Sequence, residues 1–215
     1  GARVGFIDID VAAADALVAH LGAETDCFVR EALTWATVQA GERAVPGVLA
    51  QYSAAHPGIE IDIADVLSEP CIDRVASGHA DFALAAIRAD TPALQAEPFC
   101  SDDFYLVCPT DHPLSRWRKA ITTQDLAAWP FIHLARTSSV RQYLEAALHP
   151  QAMHTLMEVE QLATVMGMVR AGLGISVVPA LTLFHFEQPG LVTRPLSLPG
   201  LTRQIYMVRR RDESL

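Results

Sequence analysis

No stretch of this 215-residue sequence is long and apolar enough to cross a bilayer as a helix. Its most hydrophobic segment, Ala171–Leu183, is short and is broken by Gly172, Gly174 and Pro179. The first residues lack a basic stretch followed by an apolar one, so nothing reads as a secretory signal and the expected location is cytoplasmic. Cysteine is scarce. Cys27, Cys71, Cys100 and Cys108 form no C-x-x-C pair and sit in apolar contexts such as Tyr105-Leu-Val-Cys108. They read as reduced thiols packed like small hydrophobes, with a Cys100–Cys108 redox switch as the alternative. Such usage suits a reducing compartment. Basic charge is also short. Lys and Arg number 16 against 25 Asp and Glu, a net charge of −9 that argues against this chain gripping nucleic acid itself. The basic run Arg209-Arg-Arg211 reads as a solvated end.

Catalytic signatures are missing as well. There is no Gly-x-Ser-x-Gly, no Walker loop, no Gly-x-Gly-x-x-Gly and no His-Glu-x-x-His. The eight histidines are scattered, and neither they nor the cysteines fall at metal-ligand spacing, so no metal and no cofactor is expected. An acid–base pair would have to come from Glu69 and Glu160, which no motif supports. The chain therefore reads as a non-enzyme.

What is present is the raw material of a folded core. Hydrophobic residues make up 51%, aromatics 7%, and the mean hydropathy is +0.22. Such a composition excludes a disordered chain and suits one large domain or two small ones. Short β-branched runs alternate with helical patterns. Strands are expected at Leu33–Val38, at Ile59–Ala64 (whose IEIDIA alternates strictly) and at Asp81–Ala86. Between them fall a helix at Val45–Ala55 and a short one at Cys71–Ala76 that Gly78 stops. This β-α-β-α-β order predicts a parallel sheet with right-handed crossovers.

The pattern then repeats. Strands are expected at Phe104–Cys108, Phe131–Leu134, Thr155–Val159, Ile175–Val178, Val192–Pro195 and Gln204–Val208. A polar loop fills Pro109–Lys119, Thr123 caps a short helix through Ala127, and longer helices fall at Val140–Leu148 and Glu160–Ala171. Leu162, Val165, Met166 and Val169 share one face of the last helix, which packs it on a sheet. Residues 1–31 hold six acids against Arg3 and Arg30, with apolar residues every three or four positions from Ile7 to Leu21. They read as an amphipathic helix outside the sheet; a strand at Arg3–Ile9 followed by a helix is the alternative.

From Ala32 onward the order of motifs resembles the effector-binding domain of LysR-type transcriptional regulators. The residues that carry it are Leu33-Thr-Trp-Ala-Thr-Val-Gln-Ala, Pro46-Gly-Val-Leu-Ala-Gln-Tyr, His56-Pro-Gly-Ile-Glu-Ile and Ser77-Gly-His-Ala-Asp-Phe-Ala-Leu84. Asp111-His-Pro-Leu114 and Val169-Arg-Ala-Gly-Leu-Gly-Ile-Ser-Val-Val-Pro179 are the most specific. The resemblance implies an α/β fold of two Rossmann-like lobes with an inter-lobe cleft, similar to type 2 periplasmic binding proteins. Residues 32–95 with 190–215 would form the first lobe, 96–189 the second, and 1–31 a linker-helix remnant. The family's N-terminal helix-turn-helix and its usual final helix are missing, so the chain is expected to be a fragment of a longer regulator.

The function implied is sensing of a small, anionic metabolite together with self-association as a dimer or tetramer. DNA would be contacted only through the absent helix-turn-helix, and no membrane is involved. A solute-binding protein of a transport system is the alternative. Where strand ends meet helix starts, free backbone N–H groups and the helix dipole favour anions. Thr37, Gln39, Ser68, Thr137, Ser138 and Glu160 lie at such turns and are the expected effector-binding residues, although the Glu160 carboxylate would repel an anion and suits instead an amine, a mixed-charge ligand or solvent. Helix capping explains any single hydroxyl among them equally well. Val48, Leu49 and Tyr52 are the expected interface residues, with core burial as the other explanation for Val48 and Leu49.

Overall fold

The structure, a computed structural model, describes residues 31–36, 54–55, 57–58 and 61–211. Their contacts gather into two compact units, one ending at Cys100 and resuming at Gln204, the other spanning Ser101–Arg203.

In the first unit, β1 (Glu31–Ala36) lies between β2 (Ile61–Val66) and β3 (Phe82–Ala85) and runs parallel to both. The end of β9 (Thr202–Arg210) pairs antiparallel with β3. All four residues of β3 are buried, as expected of an interior strand covered on both faces. Helix α1 (Ser68–Ala76) connects β2 to β3 and buries Cys71 and Val75 against Ala80, Ala83 and Ala85. Small side chains on the strand side let the helix sit close. Gly78, at φ +75°, turns the chain out of the helix in a conformation that side chains with a Cβ resist. Arg210 of β9 donates from Nη1 to the carbonyls of Val75 (2.6 Å) and Ala80 (2.8 Å), satisfying acceptors at the end of α1.

In the second unit, the latter part of β4 (Leu94–Pro109) pairs antiparallel with β7 (Ser176–Pro179) and β8 (Leu191–Pro195). Two further strands, β5 (Phe131–Leu134) and β6 (Thr155–Val159), run parallel to each other, and Phe131 bridges to Ile175. Helices α2 (Thr123–Ala127), α3 (Ser139–Leu148) and α4 (Leu162–Arg170) complete it. Its core joins Phe104, Leu106, Phe131, Ile132, Leu144, Val165, Ile175 and Phe186, with Val169 of α4 packed in beside Val165.

Several expected boundaries move. α1 begins at Ser68, three residues before the expected start, because Pro70 falls within the first turn, where its missing N–H costs nothing. The cap of α2 is Thr122, not Thr123. Its hydroxyl accepts from the Asp125 N–H, and the Asp125 carboxylate accepts from the Thr122 N–H at 2.8 Å, a reciprocal capping box that lowers the Asp125 pKa. β4 runs for 16 residues where five were expected, and a 3-10 turn at Ala180–Phe186 was not anticipated. Arg209-Arg-Arg211 is a solvated end only at Arg211, which is exposed and pairs with Asp90; Arg209 is half-buried and pairs with Glu97 at 3.0 Å, and Arg210 is half-buried and holds the end of α1. Ala54 and Ala55 are helical, as expected of Val45–Ala55. The rest of that helix, residues 1–30 and Val48, Leu49 and Tyr52 lie outside the described residues.

Among the described glycines, Gly174 makes the tightest backbone approach. A Cβ there would sit 2.5 Å from the Pro130 carbonyl oxygen, which accepts the Ile175 N–H at 2.9 Å. Gly174→Ala must push this backbone apart. The expected cost is about 1–3 kcal/mol, read as a lowered urea midpoint with an unchanged m-value.

Candidate functional site

Parallel pairing places the carboxyl ends of β5 and β6 side by side, with Leu134 opposite Val159. Each strand then turns directly into a helix, β5 through residues 135–138 into α3 and β6 through Glu160 and Gln161 into α4. Two helix N-termini therefore start at the same end of one strand pair, where first-turn N–H groups and the helix dipoles favour negative charge. Neither helix carries an acid in its first turn, and neither N-cap residue, Ser138 or Gln161, makes a side-chain cap bond.

The turn after β5 is set by its neighbours. The Ala135 N–H donates to the Val159 carbonyl at 2.9 Å, and the Arg136 N–H donates to Glu158 Oε1 at 3.2 Å. Thr137 is exposed and Ser138 half-buried. Ser139, the first residue of α3, accepts at 3.2 Å from Nη1 of Arg203. That guanidinium is itself paired with Asp102 through Nε at 3.1 Å and through Nη2, while Asp102 Oδ1 accepts the Leu181 N–H at 3.1 Å. Both members are buried, Arg203 at 1% exposure and Asp102 at 1%. Burial pushes the Asp102 carboxyl up, and the Arg203 charge opposes that rise.

Beneath the turn, His133 is 2% exposed and stacks on Phe131 with ring centroids 4.2 Å apart. Burial, and then the charges of Arg141 and Arg136, push its pKa down to about 3, so the ring is neutral at pH 7. Arg141, in the first turn of α3, is buried and donates to Glu145 Oε1 through Nε at 2.7 Å.

Of the expected effector-binding residues, Thr137, Ser138 and Glu160 lie on the two turns that share the β5–β6 end, Glu160 exposed. Ser68 lies in the first unit, buried at the start of α1, where its hydroxyl accepts the Ala86 N–H at 3.2 Å and ties the end of β3 to the helix. Thr37 and Gln39 lie outside the described residues. Glu69 and Glu160, weighed as an acid–base pair, fall in different units. Among the described residues no three His, Cys, Asp or Glu side chains cluster as metal ligands. Cys108 is buried, which raises its thiol to about 11 and leaves it protonated. Asp102, Arg203 and Ser139 escaped the sequence reading because Asp102 stands in a polar stretch, Ser101-Asp-Asp103, that looks like a loop.

Comparison with known proteins gives the arrangement a context. The family model for the LysR substrate binding domain matches residues 32–215. The HTH-type transcriptional regulator YbhD of Escherichia coli K12 is 27% identical over 173 residues, covering 80% of this chain and 54% of that protein. The transcriptional activator protein LysR of the same organism is 30% identical over 156 residues, 72% of this chain and 50% of that one. The chain thus spans about half the length of the curated relatives it matches. Among solved structures, the effector-binding domain of BenM with its effector benzoate has a TM-score of 0.73 at 22% identity, covering 86% of this chain and 85% of that one. The fold is that of these regulatory domains, an α/β fold similar to type 2 periplasmic binding proteins.

Two outcomes are expected of this part of the molecule. Asp102→Ala leaves the Arg203 charge buried without its partner and should cost about 3–5 kcal/mol in urea unfolding, against less than about 1 kcal/mol for the exposed Asp90→Ala. His133 titrates lower in the folded chain than in the unfolded one, so the unfolded state binds the extra proton between about pH 6.5 and 3. Its contribution is intact above that window and is lost on acidification. Relative to His133→Leu, the native protein should lose about 2 kcal/mol between pH 7.5 and 5, and a difference curve flat over that range would refute the assignment.

Proposed function

The chain belongs to the LysR substrate-binding-domain family, and from that membership we propose that it is the effector-sensing and self-associating part of a LysR-type bacterial transcriptional regulator. The observation that carries the reading is the match across residues 32–215, together with helix N-termini gathered at one end of β5 and β6. Those N–H groups suit a small anionic metabolite. Thr137 and Ser138 supply hydroxyls beside them, and Thr37, Gln39 and Ser68 join the proposed set; the exposed Glu160 carboxylate repels an anion and belongs to the set only for an amine on a mixed-charge ligand. The Ser68 hydroxyl already serves the Ala86 N–H, so its role includes holding α1 as well as meeting ligand.

A sensor of this kind works by population shift: the ligand binds one arrangement of the protein better than another and is limited to that difference in affinity. Self-association as a dimer or tetramer, with Val48, Leu49 and Tyr52 in the interface, belongs to the same proposal. So does a cytoplasmic location; no described helix is long and apolar enough to cross a membrane. The named relatives are transcriptional regulators, which favours this reading over a transport protein or an enzyme.

A thermal-shift screen of the chain against benzoate, other aromatic acids, dicarboxylates, amino acids and polyamines tests it. A ligand at 100 times its Kd stabilises the fold by about 2.7 kcal/mol. An anionic hit should weaken at least about tenfold, roughly 1.4 kcal/mol, in Thr137→Ala/Ser138→Ala. A hit unchanged in that variant overturns the site; a panel in which only polyamines bind overturns the anionic class.

A further inference from the structure

The acidic balance of the chain hides one strongly basic feature. Residues 112–124 contain Arg116, Arg118 and Lys119 and no acid, in a chain whose net charge is −9. Arg116-Trp-Arg-Lys119 follows a 3-10 turn at Pro113–Arg116, and all three cations are exposed, with Trp117 exposed at 36% between them. The other clustered arginines, 209–211, are taken up by Glu97, Asp90 and the carbonyls at the end of α1. Among the described residues, no ion pair within 4.0 Å engages Arg116, Arg118 or Lys119. The Lys119 charge helps to lower the Asp125 pKa, and that carboxylate is committed to the Thr122 capping box.

The root of this segment is fixed although its head is free. Leu114 is 1% exposed and its N–H donates to His112 Nδ1 at 3.2 Å. Ser115 Oγ donates to the Thr110 carbonyl at 2.9 Å. From β8, Arg194 Nη1 donates to the carbonyls of Leu114 at 3.1 Å and Ser115 at 3.3 Å. Trp117 then leaves the turn with extended backbone, φ −65° and ψ 121°. Three cations and an aromatic ring are thus held out from a rigid base, so less is lost in ordering them on a partner.

We infer that Arg116–Lys119 is a contact for the phosphate backbone of duplex DNA, made by this domain in addition to whatever segment reads the sequence. The step rests on the reading of the chain as part of a DNA-bound regulator. Guanidinium and ammonium groups without protein partners match phosphate oxygens, and such contacts position a protein on the duplex without specifying bases. An acidic polypeptide offers carboxylates to the same charges, so the duplex is favoured by the reading of the chain as part of a DNA-bound regulator and polyglutamate serves as the competitor in the test. This departs from the sequence-based expectation of DNA contact only through another segment. Net charge averages over the molecule, whereas counterion release depends on the cations that reach phosphate.

The test measures anisotropy of a labelled duplex of about 30 base pairs, of arbitrary sequence, titrated with the intact 215-residue chain at about 20 mM salt. Three phosphate contacts predict a slope of about −2.7 in log K against log salt. The variant R116Q/R118Q/K119Q should bind at least about tenfold more weakly and lose most of that slope. A control removing the same charge elsewhere, R74Q/R88Q/R170Q, should stay within about twofold. Trp117→Phe should keep the affinity and abolish the tryptophan fluorescence change on binding. Absence of binding by the native chain, equal loss in both triple variants, or tighter binding to polyglutamate than to the duplex each overturn the inference. The proposed effector site contains none of these residues, so the thermal-shift screen and the DNA titration fail separately.

Discussion

The second unit is organised around one buried ion pair. Asp102 on β4 and Arg203 on β9 meet out of contact with water, and between them they fasten four separate pieces of chain. Asp102 holds the Leu181 N–H where the 3-10 turn after β7 begins, and Arg203 reaches the hydroxyl of Ser139 at the first residue of α3. In a medium of low polarity neither charge is tolerated alone, so each fixes the other and the strand that carries it. The N-terminus of α3, where the site is proposed, is therefore positioned from below by a charge network. Its own cap does not do this, since Ser138 makes no side-chain cap bond.

That network has a consequence for the hydroxyls on the turn. An N-cap serine normally closes one first-turn N–H, a contribution of about 1 kcal/mol. Here α3 is anchored through Ser139 and Arg203, and the turn is shaped by Ala135 and Arg136 donating to β6. Ser138 and Thr137 are left with donors and acceptors that the local fold does not consume. Ser68 is the contrasting case, a hydroxyl of the same sequence type whose acceptor is spent on Ala86. Hydroxyls that look equivalent in sequence thus divide into one that holds the fold and two that remain available.

Legibility in the sequence followed the same division. β5 and β6 appear at the expected residues because Phe131–Leu134 and Thr155–Val159 are short apolar or β-branched runs bounded by turns. β4 was legible only from Phe104 onward, because Pro98 and Ser101-Asp-Asp103 look like a loop when no partner is visible. The partner of Asp102 lies about 100 residues away, at Arg203, and local patterning carries no trace of it. The cap expected at Thr123 falls one residue earlier, at Thr122, because the Asp125 bonds go to Thr122. Of the proposed site, the positions of Thr137, Ser138 and Glu160 at strand-to-helix turns and the backbone N–H donors there were readable, whereas the Asp102–Arg203 pair that reaches Ser139 was not.

Arginine shows why composition gave the wrong picture of the surface. Arg209, Arg210 and Arg211 are adjacent in sequence and read as a solvated basic end, yet Arg209 and Arg210 on β9 reach Glu97 and the end of α1, and the exposed Arg211 just beyond the strand pairs with Asp90. Arg116, Arg118 and Lys119 are interrupted by a tryptophan and attract less notice, yet they keep their charges exposed. The difference lies in the backbone. Antiparallel pairing with β3 runs up to Arg209 and brings the end of β9 beside acceptors of the first unit, whereas the segment after Arg116 leaves its turn in an extended path. A count of charges does not distinguish a cation that satisfies the fold from one that can meet a partner. Only the pairing of each cation does, and among the described residues Arg116, Arg118 and Lys119 are the exposed, unpaired cations that lie together in sequence, whereas Arg74 and Arg170 stand apart.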